Sequence, residues 1–66
     1  MEIVLNGQPM MLTAPLSLAQ LVEQLGFTGK RIAVERNGEI VPKSQHAACM
    51  LASQDKLEIV VAVGGG

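Results

Sequence analysis

Leu57-Glu58-Ile59-Val60-Val61-Ala62-Val63-Gly64-Gly65-Gly66 is the stretch on which the reading of this chain turns. Its first seven residues are dominated by β-branched and aliphatic side chains, which favour a pleated strand. With a side-chain period of two, Leu57, Ile59, Val61 and Val63 share one face. Glu58, Val60 and Ala62 share the other, so that second face becomes apolar toward the end. A strand apolar on both faces is either central in its sheet or covered for part of the time by a partner. Three glycines then follow with no polar spacer.

The preceding residues supply the sheet this strand needs. Glu2-Ile3-Val4-Leu5 and Gln8-Pro9-Met10-Met11-Leu12 flank Asn6-Gly7. Asn-Gly is a strong hairpin signal, because both residues tolerate the positive φ of a type I′ turn. That turn pairs Ile3 with Met10 and Met1 with Leu12. Pro9 lacks an N–H and places the second strand at a sheet edge. A second hairpin runs Ile32-Ala33-Val34-Glu35-Arg36, Asn37-Gly38, Glu39-Ile40-Val41-Pro42, with Arg36 opposite Glu39 as a cross-strand charge pair.

Between the hairpins lies a helix with its boundaries marked. Ser17 is an N-cap, Gln20 completes a capping box, and Leu16 is placed to staple against Leu21. Leu18, Leu21, Val22 and Leu25 form one apolar stripe. Gly26 suits the left-handed residue that ends a helix, with Phe27 folding back on Val22. The stretch from Lys43 to Lys56 reads as a turn or short helical segment near Pro42 and Ser44, then a short strand at Cys49-Met50-Leu51. Hairpin, helix, hairpin and strand give an α+β domain, a mixed sheet of four to five strands with one main helix on one face.

Composition narrows the function. The 66 residues carry five Lys+Arg and six Asp+Glu, a net charge of −1. No basic surplus exists to neutralise a run of phosphates, and Phe27 is the only aromatic, so nucleic acid is not an expected partner. One cysteine cannot close an internal disulfide, and one histidine with it cannot complete a zinc site, so no metal is expected. The longest apolar run, Ile59 to Val63, is far below the ~20 residues of a membrane-spanning helix. Glu2 stands where a secretory leader would be basic. A cytoplasmic location is the expectation. So short a chain buries only about 60% of its unfolded surface, which leaves little room for a deep catalytic pocket.

The glycine triplet has two plain explanations, a fraying end or a remnant of an expression vector. At a glycine frequency of about 7%, three in the last three places arise in roughly 3 of 10⁴ chains. A glycine tail has no side chain to collide with tunnel walls, and three extended residues reach about 10 Å beyond their anchor. Such a tail can deliver a carboxylate into another protein's active site.

The whole chain resembles the ThiS family of sulfur carriers of thiamine biosynthesis, which have a ubiquitin-like β-grasp fold. Leu5-Asn6-Gly7-Gln8, Ala33 through Lys43 and above all Leu57 through Gly66 carry the resemblance. It departs where the family usually has Gly-Asp before the last strand, since here the residues are Gln54-Asp55. The resemblance implies a β-grasp domain over 1–63 and a flexible glycine tail over 64–66. It also implies that the protein is a co-substrate rather than an enzyme. A ThiF-like adenylyltransferase would use ATP and Mg²⁺ to adenylate the carboxylate of Gly66. A sulfur donor enzyme would convert it to a thiocarboxylate, and a ThiG-like thiazole synthase would take up the sulfur. Gly64 and Gly65 would thread the partner's channel, and Val60 and Ala62, beside the root of the tail, would belong to the docking surface.

Two alternatives share the glycine tail: the MoaD-like small subunit of molybdopterin synthase, and a ubiquitin-like protein modifier or binding module. A small enzyme is disfavoured by the lack of a nucleophile–base pair. Other conspicuous residues have simpler readings. Cys49, a conceivable persulfide acceptor, reads as a small buried hydrophobe, and His46 as a surface or turn residue. Lys30-Arg31 reads as solvated loop charge, and Met10, Met11 and Met50 as core filler.

Overall fold

The computed structural model describes residues 1–62. The elements are β1 (Glu2–Leu5), β2 (Gln8–Met11), α1 (Leu18–Gln24), β3 (Ile32–Arg36), β4 (Glu39–Ile40), a 3-10 turn (Lys43–Gln45) and β5 (Lys56–Val61). They form one five-stranded sheet in the order β2-β1-β5-β3-β4. β5 pairs parallel with β1 and antiparallel with β3, so the sheet is mixed. The last strand in sequence is therefore the central strand in space, with Leu57 and Ile59 buried on one face and Glu58 and Val60 exposed on the other.

Both hairpins form in the expected register. Ile3 opposes Met10, and the main chains of Met1 and Leu12 exchange hydrogen bonds at 2.8 and 2.9 Å. Asn6 and Gly7 take φ of 50° and 80°, as a type I′ turn needs. β2 is an edge strand, and Pro9 presents no donor to an incoming strand. In the second hairpin Arg36 opposes Glu39 in register. Its guanidinium, however, pairs with Asp55 at 2.9 Å instead of with Glu39. The Asp55 carboxylate is buried and already oriented by other donors, so it is the stronger acceptor.

The helix ends where the sequence places its caps. Gln20 N–H donates to Ser17 Oγ at 3.1 Å, and Ser17 N–H donates to Gln20 Oε1 at 2.9 Å, a complete capping box. Gly26 has φ 80°, and the N–H of Phe27 reaches Val22 O at 3.1 Å while that of Gly26 reaches Glu23 O at 3.1 Å. These two bonds define a Schellman end. Leu18 and Leu21 are fully buried, and Val22 and Leu25 pack beside them against one face of the sheet. With Ile3, Leu12, Val34, Leu51, Leu57 and Ile59 they make the core.

Three expectations need correction. Cys49-Met50-Leu51 is not a strand; it makes a single bridge, Met50 with Ser17, through which Leu18 N–H and Leu51 N–H bond Cys49 O and Leu16 O. Met11 and Met50 are 68% and 53% exposed, so they are not core filler, although Met10 does pack on the core. Met11 lies on the face of the edge strand away from the helix, and Met50 on a connecting bridge. His46 is not a surface residue. Its ring is buried, with Nε2 at 3.0 Å from Val41 O, which satisfies a polar group that would otherwise be costly to bury. Gln54, before β5, adopts φ 73°, a conformation for which a glycine is ordinarily used and which strains a residue with a side chain.

Candidate functional site

Where β5 starts, how it is aimed and what it exposes are fixed by side chains from three separate segments. At its start, the Asp55 carboxylate accepts from Arg36 Nε at 2.9 Å, Arg36 Nη2 at 2.9 Å, Asn37 Nδ2 at 3.2 Å and Ala52 N at 2.8 Å. Burial pushes the Asp55 carboxyl pKa up. The bonds from the Ala52 N–H, the Asn37 amide and Arg36 outweigh this and hold it below its ordinary value. Across the same bond the Arg36 guanidinium is held protonated more firmly than usual.

The two Asn-Gly turns do a second task. Asn37 N–H donates to Lys56 O at 2.8 Å, while its Oδ1 accepts Lys56 N–H at 2.9 Å. On the other side of β5, Asn6 Oδ1 accepts Ile59 N–H at 2.8 Å, and Asn6 Nδ2 donates to Ile59 O at 3.2 Å. Each asparagine amide thus behaves as an additional strand residue and lengthens a ladder beyond the end of its own strand. β5 is gripped from both sides by the turn residues of the two hairpins. At its far end Ala62 N–H donates to Arg31 O at 2.8 Å. Ala62 is the last described residue.

β5 therefore leads from a fixed polar anchor straight to the root of the glycine tail. Val60 is 61% exposed and Ala62 is exposed, on the face that the helix does not cover. Val63 and the tail residues Gly64, Gly65 and Gly66 lie outside the described residues. Of the other residues considered from sequence, Arg31 adjoins the end of β5 through its main-chain O, and Cys49 lies elsewhere. Cys49 is half-buried with its sulfur 3.6 Å from Arg36 Nη1, beside an open depression of about 380 Å³ lined by Glu39, Ile40 and Val41. Lys30 and Arg31 are exposed. Among the described residues there is no group of three or more metal-ligating side chains.

Sequence reasoning missed Asp55 and the second roles of Asn6 and Asn37. A buried aspartate just before the last strand gives a local hint in the Gln54-Asp55 dipeptide. The asparagine contacts span 53 and 19 positions and leave no local signal.

A central strand gripped from both sides, on a small mixed sheet covered on one face by a single helix, defines a β-grasp type of domain. Residues 3–66 match the ThiS family profile, and the chain belongs to that family. A solved ThiS thiamine biosynthesis protein from Geobacter metallireducens superposes with a TM-score of 0.85 at 26% identity, covering all of both chains. The fold is the ubiquitin-like β-grasp. The chain is 44% identical over its whole length to a thiazole synthase of Paramagnetospirillum magneticum, of which it spans 20%. It is 40% identical over 65 residues to the uncharacterized protein ycf40 of Pyropia yezoensis, covering 98% of this chain and 92% of that one. No helix among the described residues is long and apolar enough to cross a membrane.

Proposed function

We propose that this protein is the sulfur carrier of thiazole formation in thiamine biosynthesis, with Gly66 as the residue that bears the cargo. The observation that carries this reading is the family match, which runs through the final strand and reaches the glycine triplet. The likeness of the whole chain to one fifth of a thiazole synthase supports the same pathway, because there a domain of this kind shares a polypeptide with the named activity.

The chemistry follows from what a carboxylate lacks. A free carboxylate is a poor acceptor for sulfur, since its leaving group would be oxide. A ThiF-like adenylyltransferase joins the Gly66 carboxylate to the α-phosphate of ATP, with Mg²⁺ assisting and pyrophosphate leaving. Sulfide attacking the acyl carbon expels AMP and leaves the thiocarboxylate directly. A donor enzyme's persulfide expels AMP to give an acyl disulfide, whose S–S bond a thiol reductant then cleaves, releasing the donor's thiol and the thiocarboxylate. That group is a soft, ionised nucleophile held covalently, and a ThiG-like thiazole synthase receives its sulfur. The carrier contributes no general base. It supplies a slim tail, Gly64 to Gly66, and a strand that aims it. The expected setting is the cytoplasm, and the protein acts as a co-substrate of its partner enzymes.

The test is an intact-mass measurement after incubation with the cognate activating enzyme, ATP and a sulfur source. The mass should rise by the exchange of one oxygen for sulfur, and the change should vanish when Gly66 is deleted. Thiocarboxylate that still accumulates on the deleted chain would refute the reading.

A further inference from the structure

Asn-Gly occurs twice in the chain, and in each turn the asparagine side chain holds β5. It is also the dipeptide most prone to lose its side-chain amide, because glycine puts no side chain in the way when its nitrogen attacks the asparagine Cγ. The two turns are not equally closed. Asn6 joins β1 to β2, which pair over four positions, and both of its amide atoms bond the main chain of Ile59. Asn37 is exposed and joins β3 to β4, an edge strand of two exposed residues paired over two positions. Its Nδ2 donates to Asp55 Oδ1 at 3.2 Å, and its Oδ1 accepts Lys56 N–H at 2.9 Å. Ring closure carries Cγ onto the Gly38 nitrogen and so breaks both bonds, which makes it wait on local opening. A two-residue edge opens at less free energy than two strands paired over four positions.

We propose that Asn37 is a self-modifying site, at which the chain deamidates and loosens the clasp on the start of its own central strand. The nitrogen of Gly38 gives up its proton and bonds to Asn37 Cγ. The bond from Cγ to Nδ2 breaks, and ammonia leaves with that proton. Water then opens the five-membered succinimide at either carbonyl, giving aspartate or isoaspartate at position 37. Neither oxidant nor reductant takes part. The consequence falls on Asp55. A carboxylate replaces the donor that faced Asp55 Oδ1 at 3.2 Å, so an attractive contact becomes two like charges in the same place. The Asp55 carboxyl is held below its ordinary pKa, so it does not take up a proton near neutrality to relieve them. Isoaspartate in addition lengthens the main chain by a methylene, which a two-residue type I′ turn does not accommodate. The reaction is independent of the carrier chemistry, since it needs only water and the chain itself.

The experiment keeps the intact, folded chain at mildly alkaline pH and samples it over several weeks. Peptide mapping by mass follows each asparagine through the exchange of NH2 for OH, and isoaspartyl methyltransferase labelling marks the isoaspartate. Conversion at Asn37 should outrun that at Asn6 about tenfold, the ratio given by an opening easier by about 1.4 kcal/mol. Asn37→Gly keeps the positive φ and should gain no charge over the time in which wild type converts. The converted wild type, separated by its added negative charge, should unfold about 4–8 °C below the parent chain, and Asn37→Asp should do the same. No conversion at Asn37, conversion at Asn6 as fast as at Asn37, or a converted chain with the parent's unfolding midpoint would each overturn the proposal.

Discussion

Replacing Asp55 by alanine should cost this domain a large part of its stability and most of its acid sensitivity at that site. The carboxylate is buried and accepts from four donors at 2.8–3.2 Å, two of them on one guanidinium. Breaking a fully buried ion pair costs about 3–5 kcal/mol. Here the Arg36 side chain is 30% exposed, and Asn37 and Ala52 are exposed, so water can satisfy the orphaned donors. The loss then approaches that of charge-assisted hydrogen bonds, about 2–3 kcal/mol. At about 0.05–0.15 kcal/mol per residue, a chain of this size has roughly 3–10 kcal/mol in total. The thermal midpoint should fall by roughly 10–20 °C.

With no Trp or Tyr in the chain, urea unfolding is best followed by far-UV circular dichroism. The pH dependence gives a second check. Because the folded Asp55 pKa is depressed, its contribution is complete above the unfolded carboxylate value of about 3.9. That contribution is lost as pH falls through the lower folded value. The gap between wild type and Asp55→Ala should therefore be widest near neutrality and shrink below about pH 4. A neutral-pH gap under about 1 kcal/mol, or one that does not change with acid, would show that the bonds to Asp55 do not hold the start of β5.

Gln54→Gly should stabilise the domain by about 0.5–1 kcal/mol, since relief of the positive φ exceeds the entropy that glycine adds to the unfolded chain. A lower urea midpoint in this variant would contradict that balance. Val60→Lys should weaken complexes with both the adenylyltransferase and the thiazole synthase while leaving the unfolding midpoint nearly unchanged, because Val60 is 61% exposed. Unaltered binding by the folded variant would remove Val60 from the docking surface.

Much of the fold was legible because its signals are local. Asn6-Gly7 and Asn37-Gly38 adopt the positive φ that Asn-Gly favours whatever surrounds it. The Ser17–Gln20 box and the Gly26 end mark the helix to within a residue, since caps satisfy groups only a few positions away. Pro9 placed β2 at an edge, and the aliphatic β5 is central, because each tendency is carried by the strand itself. The glycine triplet was readable for the same reason.

Tertiary structure alone decided the partners. Arg36 has Glu39 as its register neighbour, yet it turns to Asp55, 19 positions away, where burial and two further donors, Asn37 Nδ2 and Ala52 N, prepare the acceptor. His46 is drawn inside because Val41 O lies in reach, while Met11 stays in solvent because the one helix covers the opposite face. Asn6 meets Ile59 across 53 positions. Glu35 comes to stand opposite Glu58 only once β3 and β5 align, and that register is chosen by burying Val34 against Ile59 rather than by either carboxylate. Local sequence fixes backbone conformation through short-range sterics and hydrogen bonds. Which distant side chains meet depends on how the whole apolar set packs.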